Sequence, residues 1–266
     1  TGKTYLWNIL SAAVRSKGLI VLNAASSGIA SLLLPGGRTA HSRFGIPINP
    51  NDFTTCSMET GSDLAEVIRQ AKLIIWDEAP MMSKHCFETL DRSMRDVIRC
   101  NDDRPFGGKV VVFGGDFRQI LPVINGGGRS ETVLSALNSS YLWNSCKVLR
   151  LTKNMRLLMG IGNHDKKELE IFSKWILDIG DGKVNEPNDG ETEIEIPEDL
   201  LITECEDPVE AIVREVYGKS FANNSNPKFF QERAILSPTN LDVDMINNYM
   251  LSHMSGNVFN LYLLYR

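Results

Sequence analysis

Short apolar runs rich in Val, Ile and Leu alternate along this chain with stretches whose apolar residues recur every three or four positions. Strands covered on both faces read as continuous apolar runs, and one-sided helices keep a 3.6-residue period. The alternation therefore predicts an α/β fold, a parallel sheet with helices on both faces. Residues 19–23, 73–76 and 110–113 are the strand candidates, and each runs into a polar or glycine-rich turn. In open sheets such turns, at the carboxyl ends of the strands, are where ligands sit. Residues 84–99 carry Phe87, Leu90, Met94 and Val97 at helical spacing, a face suited to core packing. A further helix is predicted over 167–179, with Leu169, Phe172, Trp175, Ile176 and Ile179 on its packed side and Gly180 and Gly182 as its stop. Residues 234–236 and 242–251 read as a strand and a helix that open a second α/β lobe.

Composition narrows this little. The 266 residues suffice for one large core or two modest ones. With 42% hydrophobic and 23% charged residues the chain reads as an ordinary globular protein. No apolar run approaches the ~20 residues that span a bilayer and no secretory signal is visible, so the expectation is an intracellular protein without a membrane segment. Cys56, Cys86, Cys100, Cys146 and Cys205 form no C-x-x-C pair. They are expected to be reduced and mostly buried.

The net charge of −5 disfavours a nucleic-acid partner only until its distribution is considered. Eleven of the 33 acidic residues lie between positions 184 and 213, where there is no Lys or Arg, leaving 28 basic against 22 acidic side chains elsewhere. A solvated acidic segment 184–213 beside a mildly basic body leaves room for a positive groove.

Three local patterns carry chemistry. Thr1-Gly2-Lys3-Thr4, followed by Tyr5, Leu6, Ile9, Leu10 and Val14 at helical spacing, matches the tail of the phosphate-binding loop G-x-x-x-x-G-K-[ST]. In that loop backbone N–H groups cradle phosphates, the Lys reaches the β and γ phosphates, and the Thr hydroxyl holds Mg²⁺. Gly2, Lys3 and Thr4 are thus candidate ATP-binding residues. Second, the apolar run Leu73-Ile74-Ile75-Trp76 ends in Asp77-Glu78-Ala79-Pro80. Two adjacent carboxylates at the end of a buried strand suit Mg²⁺ (Asp77) and a general base for the attacking water (Glu78). An acidic turn without chemistry is the plain alternative. Third, residues 110–113 lead into Gly114-Gly115-Asp116-Phe117-Arg118-Gln119, where the Gln119 amide is suited to sense a γ-phosphate.

Taken together with Ala25-Ser26-Ser27-Gly28-Ile29-Ala30, Gly37-Arg38-Thr39-Ala40-His41-Ser42, Leu151-Thr152-Lys153-Asn154-Met155-Arg156 and Ile235-Leu236-Ser237-Pro238-Thr239-Asn240, these motifs resemble the Pif (petite integration frequency) family of superfamily-one DNA helicases. Their form is most similar to the expanded Pif-like set of plants and helitron transposons. The resemblance implies a RecA-like P-loop NTPase domain over 1–150 and the start of a second RecA-like lobe over 151–266. It further implies ATP- and Mg²⁺-dependent 5′-to-3′ movement on single-stranded DNA and unwinding at duplex junctions, in DNA repair, recombination and telomere maintenance. Ser26, Ser27, Thr39, His41 and Ser42 would line the DNA track, and Arg156 would reach the γ-phosphate from the second lobe. A structural histidine at position 41 and a surface ion pair at Arg156 are the plain alternatives. A nuclear location is the family default, with the mitochondrion as the alternative.

The family's phosphate loop begins upstream of Thr1 and its last helicase motifs lie beyond Arg266. The chain as given is therefore expected to be an inactive fragment, with ATP affinity reduced roughly a thousandfold by the missing hydrogen bonds. Two other classes stay open: a non-catalytic pseudo-helicase that holds single-stranded DNA or a protein, and a P-loop ATPase acting on protein.

Overall fold

Along the two central strands, successive side chains point to opposite faces, and both faces are apolar. That requires a layer on each side. A computed structural model describes residues 2–99, 103–158, 163–184, 193–203, 205–219, 221–224 and 226–254, with backbone alone for 156, 158 and 163–166. In chain order the elements are α1 (Lys3–Arg15), β1 (Ile20–Ala25), α2 (Gly28–Leu32), β2 (Arg38–Thr39), α3 (Ala40–Phe44), α4 (Asp63–Gln70), β3 (Ala71–Asp77), α5 (Lys84–Ile98), β4 (Val110–Phe113), α6 (Arg129–Ser135), α7 (Asn163–Gly180), α8 (Pro208–Tyr217), α9 (Pro227–Gln231) and α10 (Asn240–His253). The chain divides into two compact units, Thr1–Thr192 and Glu193–Arg266. This division falls later than the motif-based boundary between 150 and 151.

In the first unit the described strands form one parallel sheet in the order β2-β1-β3-β4. Its register aligns the strand ends: Ala25 pairs with both Thr39 and Asp77, and Trp76 pairs with Phe113. All four strands thus deliver their following turns to one edge. On one face Val21, Ala25, Leu73 and Ile75 pack with Trp7, Leu10 and Val14 of α1. On the other, Leu22, Ala24, Ile74 and Trp76 pack with Phe44 of α3, Ile68 of α4 and Phe87, Leu90 and Met94 of α5. The expected α/β sheet with helices on both faces is therefore present.

Strand β2 was not expected. It is two residues long and polar, and it joins the sheet by its pairing with Ala24 and Ala25. Helix α5 buries the four predicted residues Phe87, Leu90, Met94 and Val97. Ser83 starts it by accepting from the His85 N–H, and Arg99 ends it in the left-handed conformation (φ 53°). The face predicted for α7 is less covered than expected. Phe172 and Ile176 are exposed, and Phe172 stacks on Trp175 of its own helix with centroids 5.7 Å apart. Of the described cysteines Cys56 and Cys86 are buried, Cys146 is half-buried and Cys205 is exposed, and all four are free thiols. Cys100 lies outside the described residues.

Trp76 centres the core. It is fully buried, its ring centroid lies 4.5 Å from that of Phe87, 5.8 Å from Phe44 and 6.2 Å from Phe113, and its Nε1–H donates to Ser26 Oγ at 3.0 Å. Trp76→Ala is expected to cost about 3–5 kcal/mol, the range for emptying a large aromatic site. Urea unfolding measures it, and a cost below ~1 kcal/mol would mean the site collapses around the smaller side chain.

In the second unit Asp207 caps α8 by accepting from the N–H groups of Val209 and Glu210, and α8 packs against α10. Tyr217, Phe221, Phe229 and Phe230 form its aromatic cluster. Residues 234–236, expected as a strand, form none; among the described residues of this unit no other strand exists for them to pair with, and Leu236 is exposed. The helix expected at 242–251 is present as α10. Among the described residues no helix is long and apolar enough to cross a membrane.

Candidate active site

The sheet edge assembles the site in three layers. Gly2 is the N-cap of α1 in the left-handed conformation (φ 96°), which glycine adopts without strain, and its carbonyl accepts from the Leu6 N–H at 3.1 Å. Lys3 follows as the first helical residue, so its ammonium is anchored at the same end of the helix as the free backbone N–H groups. Thr4 is next and exposed.

Asp77 ends β3 with its carboxylate almost wholly buried. Glu78 then turns the chain with φ 52° and ψ 38°, a left-handed conformation that costs a non-glycine residue roughly 1–2 kcal/mol. The surroundings impose it. Glu78 N–H donates to Asp77 Oδ1 (3.0 Å), Ala79 N–H donates to the Gly114 carbonyl (2.8 Å), and Gly114 N–H donates to the Trp76 carbonyl (2.9 Å). From the other flank Ser26 N–H donates to the Asp77 carbonyl at 3.0 Å. The turn beyond β4 can approach this closely because residues 114 and 115 have no side chains: a Cβ at Gly114 would lie 2.2 Å from Trp7 Cζ2, and one at Gly115 2.1 Å from Pro80 Cδ.

Lys3 joins the layers. Its Nζ lies 2.8 Å from Glu78 Oε1 and 3.6 Å from Asp77 Oδ1. Glu78 Oε2 is buried without a hydrogen-bond partner among the described residues. A buried carboxylate oxygen left unpaired is costly and favours a donor or a cation beside it. One ammonium against two carboxylates fits a nucleoside triphosphate with a hard divalent cation, and the Thr4 hydroxyl stands next to Lys3 in the chain.

Neither the Thr4 hydroxyl nor the Gln119 amide is hydrogen-bonded to the side chains of Lys3, Asp77 or Glu78, which meet one another among the described residues. Gln119 is exposed in the turn after β4, its N–H bonded to the Asp116 carbonyl at 3.1 Å. Arg156 belongs to a short 3₁₀ helix, Met155–Leu158, and its side chain lies outside the described residues, as does Thr1.

The candidate track residues sit on the same edge. Ser26 Oγ accepts from Trp76 Nε1, and Ser27 Oγ caps α2 by accepting from the Ala30 N–H (3.2 Å). Thr39 Oγ1 caps α3 by accepting from the Ser42 N–H (3.4 Å). His41 Nδ1 lies 3.0 Å from the Ile46 carbonyl. A carbonyl only accepts, so Nδ1 carries a hydrogen and Nε2 is the ring atom left for another partner. Ser42 is exposed and lines a cavity of about 300 Å³ with Arg38 and Arg43. Burial, then Arg38 and Arg15, hold the Arg43 guanidinium below its ordinary pKa. Neither Arg38 nor Arg43 stood out in the sequence; Arg38 beside the polar track residues is the signal that was available.

The PIF1-like helicase family profile matches residues 1–190. The chain belongs to this family. It is 35% identical over 153 residues to the ATP-dependent DNA helicase RRM3 of Saccharomyces cerevisiae, covering 56% of this chain and 20% of that protein. Against the ATP-dependent DNA helicase Pif1 of a Psychrobacter species it is 27% identical over 164 residues, 61% of this chain and 24% of the relative. The chain thus spans about a fifth to a quarter of these relatives' own lengths. Among solved structures, a Bacteroides Pif1 bound to single-stranded DNA superposes with a TM-score of 0.50 at 26% identity, over 69% of this chain and 41% of that one. A Bacteroides Pif1 helicase in complex with ADP-AlF3 and single-stranded DNA superposes with a TM-score of 0.64 over 97% of this chain and 52% of that one. At 22% identity this second match speaks for the RecA-like fold alone.

Proposed function

We propose that the protein is an ATP-dependent DNA helicase that couples ATP hydrolysis to 5′-to-3′ movement along single-stranded DNA and opens duplex junctions. The observation that supports this most is the Lys3 ammonium held against Asp77 and Glu78 at the sheet edge that also presents Ser26 and Thr39. Nucleotide chemistry and the DNA track are then one continuous edge.

In this reading Lys3 exchanges Glu78 for the β and γ phosphates when ATP binds. Glu78, released, takes a proton from a water as that water's oxygen bonds to the γ-phosphorus and the bond from the γ-phosphorus to the bridging oxygen breaks, leaving ADP and phosphate. Mg²⁺, held by Thr4 and Asp77, would offset phosphate charge. Gln119 senses the γ-phosphate, and Arg156, within the unit Thr1–Thr192, reaches it as well.

The DNA track uses hydroxyls already oriented by capping. Ser27 and Thr39 accept from backbone N–H groups, so each hydroxyl hydrogen is free to point at a phosphate oxygen without reading the base. Combined replacement Thr39→Ala with His41→Ala is expected to weaken single-strand binding roughly 10- to 100-fold, two hydrogen bonds' worth. Fluorescence anisotropy with a labelled oligonucleotide measures it, and unchanged affinity would remove both residues from the track.

ATP hydrolysis by the full-length product of the protein's own transcript, with and without a single-stranded oligonucleotide, tests the whole reading, with Glu78→Gln as the blank. Stimulated turnover absent from the blank supports the motor. No stimulation, with DNA still bound, favours a non-catalytic DNA-binding module.

A further inference from the structure

Helix α7 ends on the turn that holds Gln119. That turn is closed by Asp116: its Oδ1 accepts from the Arg118 N–H (3.0 Å), and its carbonyl accepts from the Gln119 N–H (3.1 Å). The Arg118 guanidinium then reaches out of the turn. Its Nε lies 2.5 Å from Asp181 Oδ1, immediately after the last residue of α7, while its Nη1 stays 3.5 Å from Asp116 Oδ1. Lys183 holds the other Asp181 oxygen at 2.7 Å.

Gly180 shows that this crossing is built in. A helix end of this kind needs one left-handed glycine, and Gly182 provides it with φ 68°. Gly180, the last residue of α7, is not left-handed, so helix termination does not explain it. A Cβ there would lie 3.0–3.3 Å from Cδ, Cβ and Cγ of Arg118. Glycine at 180 is what lets the arginine stem run against the helix end. The ion pair itself is partly exposed, and such pairs contribute little to stability, so orientation rather than stability accounts for it. The Asp181 carboxyl is held down to about 2, first by the hydrogen bond from Arg118 and then by that from Lys183, so the pair stays charged at ordinary assay pH.

The same helix packs against the 3₁₀ helix Met155–Leu158 that includes Arg156, and Ser173 Oγ accepts from Asn154 Nδ2 at 3.1 Å. We infer that Asp181 is a positioning residue that acts through Arg118 on Gln119, and that α7 joins the turn holding Gln119 to the segment holding Arg156. This rests on the ATPase reading above for Gln119 and Arg156. It adds a mechanical link between them that runs through a Gly-Asp-Gly sequence otherwise explained only as a helix stop.

The test compares Asp181→Asn, Asp181→Glu, Gln119→Ala and the double variant Asp181→Asn with Gln119→Ala in the full-length protein. Asp181→Asn is expected to lower DNA-stimulated kcat about three- to tenfold, the range for a residue coupled to a site without touching its ligand. KM for ATP and single-strand affinity should hold, and Asp181→Glu should recover most of the loss. In the Gln119→Ala background the Asp181→Asn effect should disappear, because a residue acting through Gln119 has nothing left to act on. Full additivity, or an unchanged kcat in the single variant, overturns the inference. Amide hydrogen exchange provides the second readout: Asp181→Asn should deprotect the N–H groups of Arg118 and Gln119 selectively. If the wild-type protein shows no DNA-stimulated turnover, the proposed function fails on its own, and unchanged exchange at 118 and 119 would overturn the coupling separately.

Discussion

Glu78→Gln is expected to lower ATP turnover by about 10²–10⁴-fold, the contribution of a positioned general base. The substitution keeps the shape of the side chain and leaves intact the backbone bonds that hold residue 78 left-handed: its N–H to Asp77 Oδ1, and the neighbouring Ala79 N–H to the Gly114 carbonyl. What it removes is the carboxylate charge. In the structure Oε1 of that carboxylate accepts from Lys3 at 2.8 Å, and Oε2 is buried without a hydrogen-bond partner among the described residues. A glutamine cannot accept the proton of the attacking water. It also releases Lys3 from an ion pair that competes with the phosphates, so ATP affinity should be equal to or above that of the unchanged protein. Phosphate release in single turnover and binding of a fluorescent ATP analogue separate the two effects. A loss of turnover below tenfold would place the base elsewhere. A matching loss of ATP affinity would mean that the Lys3–Glu78 pair organises the phosphate site rather than competing for it.

Much of this site was legible in the sequence because its chemistry is concentrated in contiguous residues. Lys3 and the Asp77-Glu78 pair stand in short motifs, and the apolar run before Asp77 already marked a buried strand end. β1, β3 and β4 were legible for the same reason: a strand covered on both faces has no polar face to interrupt its run. β2 was not, since Arg38 and Thr39 contribute no apolar pattern and exist as a strand only through Ala24 and Ala25. The opposite error occurs at residues 234–236, where an apolar run suggested a strand but no partner strand is present among the described residues of its unit. Pattern reports which residues seek cover, and pairing decides whether they form a strand. The left-handed turn at Glu78 was hidden for a related reason, because the groups that impose it come from Ser26 and Gly114, far away in the chain.

The tightest of those remote constraints yields a second large expected effect. Gly114→Ala should destabilise the first unit by about 1–3 kcal/mol, as overpacking of a tight interior site does, a Tm fall of roughly 3–10 °C for a domain of this size. The added methyl has nowhere to go. Trp7 is buried on the face where α1 packs, its Cζ2 would lie 2.2 Å from the new carbon, and Asp77 Oδ1 would lie at 3.0 Å. Relief therefore moves either α1, which begins with Lys3, or the carboxylate that faces Lys3. Each route disturbs the site, so turnover should fall well beyond the fraction of protein unfolded, even at temperatures where the variant is fully folded. Gly115→Ala presses instead on the Pro80 ring and should shift the Glu78 turn without touching Trp7. Pairing Gly114→Ala with Trp7→Leu distinguishes a local clash from a general intolerance of side chains in this turn. If the clash is the cause, the smaller side chain at position 7 returns stability toward that of Trp7→Leu alone. If the two losses simply add, the glycine serves the backbone of the turn rather than the space beside Trp7, and the close packing of α1 on this edge is not what holds Lys3 against Glu78.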